Sequence, residues 1–128
     1  MKPATRAWVN KAEGDGETAR RETRVRKRPN YDAACFHAQQ AAEKYLKAVL
    51  TEEGRPFPKI HDLVKLSEGC IDRMAHLRLY EADLDVLSRY AIAFRYPGES
   101  ATKRDAQVAL LAMRHVRALI REHLGLRP

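Results

Sequence analysis

Two cysteines, 6 glycines, 6 prolines and an aromatic content of 7% leave this 128-residue chain few of the devices that small proteins use to brace themselves. Cys35 and Cys70 form no C-x-x-C pair, and Cys35 falls on the apolar side of a helical pattern, so a disulfide framework is excluded and a reduced, cytoplasmic setting is expected. No apolar run approaches the roughly 18 residues of a membrane span, and the charged N-terminus is not followed by a signal-peptide core, so neither membrane insertion nor export is expected. Zinc-ligand spacing, a Gly-rich phosphate loop, a G-x-S-x-G elbow and the Glu-x-x-His pair of di-iron bundles are all missing, so no metal and no cofactor is expected. No repeat, low-complexity tract or convincing strand pattern is present. One domain spanning residues 1–128 is long enough to bury about two thirds of its unfolded surface without staples.

What the chain does have is charge and helical periodicity. The net charge is +7, and residues 1–30 hold nine Lys or Arg against four Asp or Glu, so most of the excess lies there. Arg20, Arg21, Arg24, Arg26, Lys27 and Arg28 crowd against the single acid Glu22. Such a density favours phosphate-rich partners through counterion release. It also fits a solvated helix end, where cations complement the dipole.

Residues 31–53 are built from good helix formers, with Tyr31, Ala34, Ala38, Ala41, Tyr45 and Val49 recurring every three or four positions and Cys35, Ala42, Leu46 and Leu50 widening the stripe. Asn30 is the expected N-cap, and Gly54 followed by Pro56 and Pro58 the stop. A first helix is expected over 4–27 with Ala7, Trp8, Ala12, Ala19 and Val25 inward. A short third helix starts near His61-Asp62. A fourth carries Tyr80, Leu84, Leu87, Ala91 and Phe94 and is ended by Pro97. A fifth is capped by Ser100 or Thr102 and ends on Gly125. Short connections make an all-α, up-and-down antiparallel bundle of four to five helices the economical architecture.

The set Arg28, Tyr31, Ala34, Phe36, Gln39-Gln40-Ala41-Ala42-Glu43-Lys44, Lys47-Ala48, Gly54, His61-Asp62-Leu63 and Arg95-Tyr96-Pro97 resembles, in order and spacing, the HEPN domain (higher eukaryotes and prokaryotes nucleotide-binding) over nearly the whole chain. The resemblance implies a helical bundle, often a homodimer, and a minimal nucleotidyltransferase as partner, with which many members form a toxin and antitoxin pair. Active members are metal-independent endoribonucleases carrying Arg-x(4 to 6)-His, in which His moves a proton and Arg steadies charge on phosphate. At the corresponding place this chain reads Arg95-Tyr96-Pro97-Gly98-Glu99-Ser100-Ala101-Thr102, with no His. Arg55 with His61 and Arg117 with His123 match the spacing elsewhere, but in a chain with 16 arginines such matches arise by chance.

The expectation is therefore a regulatory or toxin-side HEPN subunit that binds nucleotide or RNA. Arg95 is the one catalytic candidate, and Arg95, Tyr96 and the run Arg20, Arg21, Arg24, Arg26, Lys27 and Arg28 are the binding candidates. An active endoribonuclease with a His supplied from elsewhere, and a protein-interaction module with a basic helix, are the alternatives. His61 reads as a helix-start residue, His37 and His115 as surface or partly packed, and Gln39, Gln40, Glu43, Lys44 and Lys47 of the second helix as a polar face, some of which must meet solvent or a partner.

Overall fold

The computed structural model describes residues 1–128 and is all-helical, with no strand. Its elements are α1 (Pro3–Arg24), α2 (Tyr31–Glu52), α3 (Leu63–Glu68), a 3-10 turn (Ala75–Tyr80), α4 (Glu81–Arg89) and α5 (Lys103–His123). The helix α2 is central, flanked by α1 and α5 and crossed by α3 and α4. The start of α1 meets the end of α2, where Glu52 accepts hydrogen bonds from the Lys2 amide at 2.9 Å and the Thr5 hydroxyl at 2.8 Å, so the two are antiparallel. In contrast α5 runs alongside α2 in the same direction, as the second and fourth rods of an up-and-down bundle do: its N-terminal end meets Asp32 and its C-terminal end meets Glu53. The return rod between them is broken into α3, the 3-10 turn and α4.

Local chemistry sets most boundaries. The Asn30 side chain accepts from the Ala33 amide at 3.0 Å, and Gly54 leaves α2 at φ 66°, where a Cβ would be strained. Asp62 caps α3, and Thr102 with Asp105 forms a reciprocal capping box on α5. The expected stripe of α2 is the core: Ala34, Cys35, Ala38, Ala41, Ala42, Tyr45, Leu46, Val49 and Leu50 are all buried. Burial pushes both thiols up to about 12, so neither cysteine is a reactive thiolate.

Three expectations need correction. The first helix ends at Arg24, not residue 27, because Val25 turns extended at φ −65° and ψ 136°; Arg28 then turns left-handed at φ 52°, and Glu22 accepts from the Asn30 amide to close the loop. Its inward stripe is Thr5, Val9, Ala12, Gly16 and Ala19, while Ala7 and Val25 are exposed. Gly16 lowers helix propensity but lies in the seam with α5, where a Cβ would stand 3.6 Å from the Met113 side chain. The fourth helix is regular only over 81–89: Tyr80 belongs to the 3-10 turn, and Phe94 adopts φ 64°, an outlier for an aromatic side chain.

Candidate nucleic-acid interface

The loop 25–30 between α1 and α2 and the loop 90–102 between α4 and α5 lie at one end of the bundle. The second loop is tied to the first turn of α2, next to the first loop, where the Ala101 amide donates to Asp32 Oδ1 at 2.7 Å. This arrangement brings the basic run and the Arg95-Tyr96 corner, 67 residues apart between Arg28 and Arg95, to a common rim. A cleft of about 480 Å³ opens there, with Phe36 and His37 of α2 on one side and Ala91, Phe94 and Arg95 on the other. Arg28 lines an adjoining hollow with Tyr31, Asp32 and Ser100. The chain's two non-glycine residues at positive φ, Arg28 and Phe94, both stand at this rim. Strained backbone persists where the surroundings over-determine it and clusters at binding sites.

The basic run divides in two. Arg20 and Arg21 both pair with Glu17 on α1, and the hydrogen bond from Arg20 holds that carboxyl below its ordinary value. By contrast Arg24, Arg26, Lys27 and Arg28 are exposed and have no carboxylate partner. At the opposite loop Arg95 donates from Nη2 to the Ala91 carbonyl at 2.6 Å, which closes the end of the α4 region and leaves four of its five N–H groups for a ligand. Tyr96 is 68% exposed and Ile92 66% exposed beside it. A cation paired with an exposed aromatic ring suits a phosphate and a stacked base.

The chance Arg and His spacings do not form sites. Arg55 is bidentate on Asp72 at 2.6 Å and also bonds the Gly69 carbonyl. Arg117 grips Glu13 at 2.8 and 2.9 Å, while His123 lies 3.3 Å from Glu53. Neither arginine addresses its histidine.

Two polar clusters on α2 meet partners within the chain. Asp15 of α1 bonds His37 at 2.8 Å and also pairs with Lys44. Glu43, only 3% exposed, accepts from Gln39 at 3.0 Å, Lys47 at 3.0 Å and His61 Nδ1 at 2.7 Å. Burial alone would push the Glu43 carboxyl up, but the bonds from His61, Gln39 and Lys47 outweigh it and hold the group below its ordinary value. The available signal was the i, i+4, i+8 spacing that puts Gln39, Glu43 and Lys47 on one face of α2.

A family model of the HEPN domain matches residues 5–123. The chain belongs to the HEPN domain family. Membership carries a nucleotide- or RNA-related role, and HEPN domains often form dimers. A solved relative in fold, described as the crystal structure of TT1696 from Thermus thermophilus, superposes with a TM-score of 0.82 over 95% of this chain and 99% of that one at 23% identity. No match was found among curated proteins. Within this HEPN chain no group of three His, Cys, Asp or Glu is placed to hold a metal ion, and no helix is long and apolar enough to cross a membrane.

Proposed function

We propose that this HEPN protein binds nucleotide or RNA at the rim formed by loops 25–30 and 90–102, and that it serves as the regulatory or toxin-side subunit of a pair with a minimal nucleotidyltransferase in the cytoplasm. The observation that carries the reading is that Arg95 lines the cleft beside the exposed Phe36 while Arg28 lines the adjoining hollow, with Arg24, Arg26 and Lys27 exposed in or next to the same loop and none of the five paired with a carboxylate. Arg95 steadies phosphate and Tyr96 offers a stacking surface. Arg20 and Arg21 contribute less, because Glu17 already neutralises part of their charge. The Arg95 corner lacks the family's histidine, so it is a binding site with a degenerate ribonuclease motif.

Homodimerisation belongs to the same reading. The apolar arc of α2 is covered within the chain, but Leu111 is 55% exposed on α5 and Leu79 74% exposed on the neighbouring 3-10 turn. A twofold pairing would bury such a remainder. Light scattering is expected to give about twice the 14.6 kDa chain mass, and a stable monomer would refute it. The binding claim is tested by fluorescence anisotropy with a single-stranded RNA: affinity should fall steeply between about 50 and 200 mM salt. Binding that is absent, or indifferent to salt, would overturn it.

A further inference from the structure

The seam between α1 and α5 holds a second cavity, of about 470 Å³, that shares no residue with the Arg95 cleft. Glu13, Glu17 and Arg20 line it from α1, and Arg114 and Arg117 from α5. Its apolar wall is Leu110 and Met113, beside Gly16, where the missing side chain leaves room over the Met113 thioether.

Two of the three arginines are already braced. Arg20 donates from Nε at 3.0 Å and from Nη2 to the Glu17 carboxylate, and Arg117 donates from Nε at 2.9 Å and Nη2 at 2.8 Å to Glu13. This side-on grip fixes the plane of each guanidinium and leaves the end-on fork of Nη1 and Nη2 for another acceptor. The third, Arg114, is exposed and has no partner. Charge does not balance either: Glu13 also takes Arg121 and Glu17 also takes Arg21, so five arginines meet two carboxylates around one cavity. A pair that served only to close the seam needs no such excess, whereas a concave site lined by one sign of charge concentrates an anion.

The donors available are all side chains. Residues 13–20 and 110–117 lie inside α1 and α5, whose amides are spent on the helices, so the groove has neither the backbone nest nor the helix N-terminus that cradles phosphate. Planar forks match the two oxygens of a carboxylate in full. Glu13 and Glu17 stand one turn apart, about 6 Å along α1, and so brace their arginines at a separation that a short diacid spans. We propose that the groove between α1 and α5 binds a small organic acid with two or three carboxylates, gripped by Arg20, Arg114 and Arg117 and laying its methylenes on Leu110 and Met113. The bound acid ties α1 to α5, which makes the groove an effector site on the bundle. The proposal does not depend on RNA binding at the rim.

The test titrates citrate and succinate into the full chain at constant ionic strength, by calorimetry and by thermal unfolding, beside acetate and inorganic phosphate. At least one of the two polyacids should bind saturably at one site per chain and raise the unfolding midpoint with concentration, as a ligand of the native state does. Acetate and phosphate should bind far more weakly. Arg114→Gln, at an exposed position, should fold as wild type does and weaken the polyacid by about tenfold or more, the scale of one lost charge-assisted bond. Replacing Arg24, Arg26 and Arg28 together by Gln should leave polyacid affinity unchanged. No saturable binding of either polyacid, phosphate binding as tightly, or Arg114→Gln binding as well as wild type would each overturn the proposal. Loss of polyacid binding in the triple variant would overturn it too, by placing the anion at the loops.

Discussion

Two groups of cations in this chain have opposite fates. In the seams between helices four are tied to acids: Arg117 and Arg121 grip Glu13 from α5, Lys44 pairs with Asp15, and Lys47 with Glu43. At the loop end Arg24, Arg26, Lys27 and Arg28 point to solvent with no acid to answer them, and Arg95 bonds only a carbonyl. The same residue type thus serves cohesion in one place and recognition in the other. What distinguishes them is the partner, not the charge. Seam pairs trade solvation for mutual attraction, whereas an unanswered surface cluster raises the local potential and awaits an external anion.

That contrast predicts where substitutions are felt. The largest effect is expected at the buried hub: Glu43→Ala leaves the Lys47 ammonium and two further donors without their acceptor and should cost about 3–5 kcal/mol in denaturant unfolding. Glu13→Ala, at a seam about a third exposed, should cost about 1–2 kcal/mol. Both carboxyls lie below their ordinary value of 4.5 in the folded protein. For Glu13, burial opposes this and the bonds and charge of Arg117 overcome it. A depressed folded value stabilises the native state above the unfolded pKa, and that stability is lost as pH falls through the folded value. Glu13→Gln should therefore flatten the acid side of a stability-against-pH curve, and an unchanged curve would break the claim that this seam is electrostatic.

Smaller effects belong to the rim and appear in binding, not in stability. Arg95→Ala should weaken RNA or nucleotide binding by a little over about 1 kcal/mol, the scale of a lost charge-assisted hydrogen bond. Its thermal midpoint should hardly move. Smallest of all, Arg28→Gly removes a side chain from a backbone at φ 52°. Relief of strain offsets the added freedom of the unfolded chain, so stability should change by less than about 1 kcal/mol while RNA affinity falls. A large loss of stability there would mean that Arg28 is a seam residue after all.

Much of the fold could be read before any coordinates. Asn30 and Gly54 bracket α2, Thr102 begins α5, and the spacing of Ala38, Ala41, Tyr45 and Val49 marks the core face, because caps and periodicity are local and written in consecutive residues. The family resemblance was equally legible in Gln39 through Lys44 and in His61-Asp62-Leu63. The end of α4 at Arg89 was not, nor was the left-handed turn at Phe94 beyond it, which no propensity announces. Nor was the Glu43 hub: its histidine lies 18 residues along the chain, and only the return of the loop to α2 shows that the polar positions face an interior partner. Gly16 carried the opposite signal, reading as a weak point in α1 when it is the place where α5 comes close.

The central claim is that the unanswered arginines of the rim, and not those of the seams, meet nucleic acid. It is tested most directly by measuring single-stranded RNA affinity against salt for two variants side by side, Arg24, Arg26 and Arg28 all replaced by Gln, and Arg117 with Arg121 replaced by Gln. Each phosphate contact contributes about 0.7 to the slope of log affinity on log salt, so the rim variant should lose about 2 from that slope while the seam variant keeps it. A rim variant with the slope of wild type, or a seam variant that loses it, would contradict the account.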